Sequence, residues 1–426
     1  MTSSLVVVES PSKSKTLESY LGKDFKVLAS YGHVRDLLPK KGAVDPDNNF
    51  AMVYETIERN EKAVNAIQKA LKKADVLYLA TDPDREGEAI SWHLYELLKE
   101  KGCLKDKEVH RVAFYEVTKS AVQDAIKNPR ELSSNLIDAQ QARRALDYLV
   151  GFNLSPLLWR KIQKGLSAGR VQSPALRMIA EREKEIDDFK TREYWSIESD
   201  LEFKGSEFLA KLTEFNNEKI KKFSIEKTKQ ASNMKSVLEK LSAGEMLVKS
   251  VTKKQRKRQP TAPFITSTLQ QEAIRKLGFT AQWTMRIAQQ LYEGIDIGEG
   301  SVGLITYMRT DSVNLAKEAL TEIRTFISSR YGKNSLPEEA RVFKTKSKNA
   351  QEAHEAVRPT SVTRVPNDIK DSLTDEQFKL YELIWKRTMA SQMRHATIDS
   401  VAVDMSCGDG NLFRANGSSI ADPGFM

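Results

Sequence analysis

Short apolar runs alternate with amphipathic stretches through roughly the first 125 residues. "LVVVE" (5–9) reads as a buried strand, and "SKSKTLESYLG" (12–22) as a helix that Gly22 closes. "FKVLAS" (25–30) reads as a second strand, and "NEKAVNAIQKALKKA" places Val64, Ile67, Ala70 and Leu71 on one helical face. The strand "VLYLA" (76–80), the helix "GEAISWHLYELLKEKG" (87–102), the strand "EVHRVAF" (108–114) and the helix "TKSAVQDAIKN" (118–128) follow. Near-continuous apolar strands joined by helices predict a parallel sheet covered on both faces.

The pattern then changes. Residues 129–190 read as helical, most clearly in "SSNLIDAQQARRALDYLVGF" and "SPALRMIAEREKEIDDF". Period-two alternation returns in "YWSIESDLEF" (194–203) and "EMLVKSVTKK" (245–254), which marks a β-containing module. After the basic run "KKQRKRQP" (253–260), a second helical module opens at "STLQQEAIRKLG", where Thr268 and Gln271 fit a capping box. It continues through "AQWTMRIAQQLYEG", the strand-like "GLITYMRTDS" and "VNLAKEALTEIRTFISSRYG"; from about 395 the chain is strand-like again. The expected fold class is therefore multidomain α/β plus α plus β, led by a Rossmann-like parallel sheet. The expected divisions are 1–128 (α/β, with the metal site), 129–192 (helical), 193–262 (β-containing), 263–394 (helical) and 395–426 (a return into the β module).

Composition narrows the function classes. The 426 residues suffice for two to four domains, with 40% hydrophobic and 29% charged residues. No apolar run approaches the ~18 residues of a membrane span, and the apolar run at the N-terminus is too short for a signal peptide core. A cytoplasmic location is expected. Cys103 and Cys407 are the only cysteines, which excludes a disulfide framework and a four-cysteine zinc site within this chain. A net charge of +9 favours a polyanionic partner, although ribosomal and membrane-peripheral proteins share that trait.

Against this basic background, "TDPDREGEAI" sets Asp82, Asp84, Glu86 and Glu88 at alternate positions after a strand. Glu9 ends the first strand, and right-handed crossovers bring both strand ends to one edge of the sheet. Hard oxygen donors from Glu9, Asp82, Asp84 and Glu86 suit Mg²⁺ beside a phosphate; Glu88 points elsewhere on its helix. The competing explanation is that acidic residues simply complement a helix dipole. "SPSKSK" starts a helix with hydroxyls and lysines, and Lys13 is the expected phosphate contact, against the alternative of a solvated lysine. In "GLITYMRTDS", Tyr307 and Arg309 project to one side if the segment is extended. A guanidinium beside a phenol suits nucleophilic attack on phosphate; the alternative is a half-buried strand tyrosine with Arg309 paired to Asp311. In "AHEAVRP", Arg358 stands where a zinc protease needs its second histidine, so a capping or core role for His354 is the default. No GxxxxGK[ST] pattern occurs, so no ATP-driven motor is indicated.

"VVVESPSKSKTLESYLG" and "TDPDREGEAI" resemble the Toprim domain of type IA DNA topoisomerases, and "ITYMRTDS" resembles that family's active-site motif. Met308 is similar to the bacterial topoisomerase I branch, whereas topoisomerase III enzymes typically carry Pro there. "YGHVRDL", "QQARRALDYLVGF", "LSAGRVQSPALR", "PFITSTLQQEA" and "AQEAHEAVRPT" extend the resemblance over essentially the whole chain. It implies a toroidal fold, DNA (single-stranded at the cleavage site) as partner, Mg²⁺ without ATP or zinc, and a monomer in the bacterial cytosol. Tyr307 would form a 5′-phosphotyrosine, Arg309 and Lys13 would stabilise the transition state, Glu9 would move a proton, and His354 would lie near the scissile phosphate. His33, Arg143, Arg144, Asp147, Trp159, Ser167, Ala168, Gly169, Arg170, Val171 and Gln172 would contact DNA. Arg143 and Arg144 suit phosphates, Gly169 close backbone approach, and Trp159 stacking on a base. Family members continue beyond "GSSIADPGFM", so a truncated chain is expected. A decatenating topoisomerase III, a noncatalytic single-strand-binding protein and a metal nuclease are the rival readings.

Overall fold

The computed structural model describes residues 4–298, 300–344 and 355–426. These form two compact units, one comprising the described residues up to Met178 with Thr261–Gln392, the other Ile179–Pro260 with Met393–Met426.

The first unit begins with a four-stranded parallel sheet, in the order Phe25–Ala29, Ser4–Val8, Val76–Leu79, Glu108–Arg111. Val6 pairs with Val27 on one side and Tyr78 on the other, and Tyr78 pairs in turn with His110. Every residue of Ser4–Val8 is buried, as a central strand covered on both faces requires. Leu5, Val7, Leu77 and Leu79 pack with Val64, Ile67 and Leu71 of the helix Glu61–Leu71 and Leu94, Leu97 and Leu98 of the helix Arg85–Glu100. Spacings of three and four residues put each helical trio on one face. The expected strand at 108–114 is paired only as far as Arg111. After the sheet come the 28-residue helix Ser134–Lys161 and the start of the helix Gln172–Asp187, whose residues from Ile179 onward belong to the second unit.

The same unit contains the helices Thr266–Leu277, Ala281–Glu293, Lys317–Tyr331 and Asp375–Gln392. The first of these corrects the expected capping box. Thr268 lies inside the helix, and its hydroxyl accepts from the N–H of the cap residue Ile265 at 3.0 Å; the reciprocal bond of a capping box is one an isoleucine side chain cannot accept.

The second unit is built on an antiparallel sheet ordered Glu218–Lys219, Ser206–Phe215, Leu412–Asp422, Ala396–Ser406, Leu247–Arg258. Its core joins Ala210, Leu212, Met405 and Phe413 to Met234 and Leu238 of the helix Thr228–Ser242. The basic run belongs to the strand Leu247–Arg258, whose residues are all exposed.

Candidate active site

The site grows from neighbouring parallel strand ends in the first unit. Glu9 follows Ser4–Val8, and Asp82 follows Val76–Leu79, whose Leu79 stands beside Val7. The Asp82 N–H donates to Glu9 Oε2 at 3.2 Å. Ser10 then caps the helix Pro11–Leu21 by accepting from the Lys13 N–H, with Pro11 fitting the first helical turn. This turns the Lys13 side chain into the site. It is fully buried, with Nζ 3.0 Å from Glu9 Oε1 and 2.9 Å from Asp82 Oδ1.

Asp84 caps the helix Arg85–Glu100, its Oδ1 accepting from the Gly87 N–H at 2.8 Å. The turn is so tight that a Cβ on Gly87 would stand 2.2 Å from the Asp82 carbonyl oxygen. Beneath it, the buried Arg111 guanidinium donates to the carbonyls of Leu79, Thr81 and Asp82 and to Glu88 Oε2. Glu88 also accepts from Arg130 and from the Ser133 N–H. The carbonyls at the end of the strand are thus clamped from below, which fixes where Asp82 and Asp84 emerge.

Tyr307 arrives from a segment over two hundred residues away in sequence. The segment is not a ladder strand, contrary to the expectation for "GLITYMRTDS", because its partners on both sides are loops. Gly303 and Tyr307 donate to Val117 and Tyr115, whereas Thr306 donates to Arg358. Gly303 lacks room for a Cβ, which would lie 2.6 Å from the Tyr292 carbonyl oxygen. Tyr307 is 3% exposed, with its ring against Tyr292 at 5.1 Å between centroids and 63° between planes. Its hydroxyl donates to Asp84 Oδ2 at 2.7 Å, and an Arg309 nitrogen lies 3.5 Å from that same oxygen. Arg309 therefore faces Asp84 rather than Asp311.

Electrostatics keep the phenol protonated at rest. Burial, reinforced by the Asp82 and Asp84 carboxylates, pushes Tyr307 well above its ordinary range. Burial and the neighbouring Asp82 push Glu9 up to about 8. Burial alone would raise Asp82, but the Lys13 ammonium and its hydrogen bond outweigh that and hold Asp82 low. A hydrogen bond from His33 takes Glu86 down to about 2.

Comparison with known proteins decides the family. The DNA topoisomerase family pattern matches residues 131–426 and the Toprim domain pattern residues 4–117. The chain belongs to the type IA DNA topoisomerase family. It is 60% identical over 427 residues to DNA topoisomerase 1 of Xylella fastidiosa (strain Temecula1 / ATCC 700964), covering 100% of this chain and 52% of that protein. It is 57% identical over 424 residues to DNA topoisomerase 1 of Rickettsia bellii (strain RML369-C), covering 99% of this chain and 53% of that one. The full-length topoisomerase I structure from Thermotoga maritima superposes with a TM-score of 0.82 at 38% identity, over 99% of this chain and 66% of that one. The chain thus spans about half the length of the curated relatives it matches.

Within the topoisomerase fold, Glu9, Asp82, Asp84, Glu86, His33 and Arg309 all line one cleft of 620 Å³. The four carboxylates are not a preassembled ligand cluster: among the described residues no group of three or more His, Cys, Asp or Glu side chains could hold a metal ion. Lys13 spans Glu9 and Asp82, Asp84 serves Gly87 and Tyr307, and Glu86 faces His33 at 3.5 Å and accepts from Gln140. Carboxylates lining an open cleft still fit Mg²⁺, which takes one or two of them and fills its shell with water and phosphate.

The residues expected to meet DNA on the helical side are more committed than free arginines would be. Arg144, on the helix Ser134–Lys161, forms a two-point pair with Asp36 of the short strand Arg35–Leu37, at 2.8 Å for each bond. Arg170 pairs likewise with Asp147, at 2.8 and 3.1 Å. Trp159 is exposed and donates through Nε1 to the Leu166 carbonyl, while Gln172 donates to Ser167. Ala168 is buried, its N–H bonded to Ser155; the Gly169 N–H meets Ser173, and Val171 is exposed. Arg143 is partly exposed on the same helix. His354 lies outside the described residues. Sequence reasoning missed Arg111, Arg130 and the buried Arg358, which bonds Glu355 and Glu116 and so ties the Tyr307 neighbourhood to the loop that follows the strand Glu108–Arg111. The one available signal was a charge inside the apolar stretch "EVHRVAF".

Proposed function

We propose that this chain carries the cleavage and religation centre of an ATP-independent topoisomerase that acts on single-stranded segments of DNA and relaxes negative supercoils. The single observation that carries the reading is the Tyr307 hydroxyl 2.7 Å from Asp84, beside the cleft shared by Glu9, Asp82 and Arg309. Tyr307 Oη attacks phosphorus, the P–O3′ bond breaks, and a 5′-phosphotyrosine and a 3′-hydroxyl result. The phenolic proton leaves along the hydrogen bond to Asp84. Glu9, at the strand edge beside Lys13, supplies a proton to the departing 3′ oxygen. Arg309 and Lys13 stabilise the charge that develops on the phosphoryl oxygens. Asp82 and Asp84 would hold Mg²⁺, which supplies compensating charge at the phosphate when bound. Religation reverses the transfer, so the ester stores the bond energy and no nucleotide is consumed.

The test is to trap a covalent adduct with a single-stranded oligonucleotide after denaturation, beside plasmid relaxation with and without Mg²⁺. The wild-type chain forms the adduct and Tyr307→Phe does not. An adduct that persists in the Phe variant removes Tyr307 from this role. Free 5′ ends without any adduct indicate a metal nuclease, and binding without scission indicates a noncatalytic protein.

A further inference from the structure

One side of the helix Ala281–Glu293 also lines the cleft; the helix is capped by Thr280, whose hydroxyl accepts from the Trp283 N–H. Thr284, Ile287, Ala288 and Leu291 bury its inner face, and Met285, Arg286, Gln289 and Gln290 line the cleft. The polar groups of this wall are not equivalent. Gln289 donates to Glu293 at 2.9 Å, and Gln290 accepts from Gln377 at 3.0 Å. Arg286 is exposed, and among the described residues no carboxylate stands within ion-pair distance of it. Its guanidinium lies 5.2 Å from the Trp283 ring centroid, which holds it on its own wall. The other basic side chains of the site are engaged: Lys13 with Glu9 and Asp82, Arg309 with Asp84, and the His33 ring with Glu86.

This difference matters to a polyanion. A phosphodiester in the cleft shares it with four carboxyl groups whose basic partners are already engaged, and Arg286 is the lining cation that no described carboxylate pairs. We propose that Arg286 is a phosphate-binding residue for the single strand in the cleft, contacting a phosphate next to the scissile one, with Met285 and Met308 against the sugar or base. The inference rests on the proposed function. Arg286 binds the backbone and takes no part in bond breaking, so its loss weakens binding and spares the chemical step.

The test is a fluorescence-anisotropy titration of a labelled single-stranded oligonucleotide at several salt concentrations, run beside adduct trapping at saturating oligonucleotide. Arg286→Ala should bind about tenfold more weakly, with a logarithmic salt dependence shallower by about 0.7, the contribution of one phosphate contact on a single strand. Arg286→Lys should restore most of the salt dependence but less of the affinity, because it keeps the charge without the planar fork. Adduct yield at saturation should be retained in both variants. Unchanged affinity and salt dependence in Arg286→Ala would overturn the inference, as would loss of adduct at saturation. Failure of the wild-type chain to form any adduct would instead overturn the proposed function, a result the binding titration distinguishes.

Discussion

Two regions of the molecule bury their side chains in opposite ways. Around Tyr307 the interior is polar: Lys13, Glu88, Arg111 and Arg358 are all buried, and each is paired with groups that satisfy it. The helix Gln172–Asp187 buries none of its residues, although Leu176, Met178, Ile179 and Ile186 are apolar. Paired buried charges are unforgiving, since removing one partner strands the other in a low dielectric, whereas an exposed leucine has little to lose. The active region should therefore respond sharply to single changes, and the helix hardly at all.

The largest expected effect is at Arg111. Arg111→Met leaves Glu88 and three strand-end carbonyls short of a donor and should cost about 3 kcal/mol or more, measured by urea unfolding. A loss below about 1 kcal/mol would mean the surrounding groups find other partners. Gly87→Ala comes next. Its added methyl meets the Asp82 carbonyl and should cost about 1–3 kcal/mol, with religation in Mg²⁺ impaired in proportion because the carboxylate turn moves. A smaller effect concerns pH. Burial, aided by Arg35 and His33, lowers His93 to about 3, so the folded protein favours the neutral ring. That stability is present above about pH 6.5 and lost as pH falls toward 3, by at most about 1.4 kcal/mol per pH unit. His93→Gln should flatten the acid limb of an unfolding-midpoint profile; an unaltered limb would assign the sensitivity to other groups. The smallest effect is expected on the exposed helix. Leu176→Lys and Met178→Lys should each change stability by no more than about 0.5 kcal/mol, and a loss several times larger in the same assay would erase the contrast between the regions.

The sequence made some of this legible and hid the rest for identifiable reasons. Period and turn residues located the parallel strands and their helices, because those signals are local. "TDPDREGEAI" announced its carboxylates, and Glu9 could be brought to the same edge by the handedness of crossovers alone. Lys13 reads as a phosphate contact, but its burial between carboxylates was hidden because Asp82 comes from a different βα unit. The segment around Tyr307 looked like a strand because its residues suit extended backbone, yet its hydrogen bonds go to loops at 115–117 and 358–360. Arg144 and Arg170 read as DNA contacts, since nothing in the local sequence reveals that Asp36 and Asp147 pair with them. Partner identity is tertiary information, and in these cases it decided the chemistry.

The depth of Tyr307 carries a last consequence. A phenol with 3% of its surface open cannot meet a passing nucleic acid. Its segment is also anchored, through the Tyr307 and Gly303 N–H groups, to the carbonyls of Tyr115 and Val117. On the proposed function, a nucleophile so covered would leave bystander strands intact without any inhibitor.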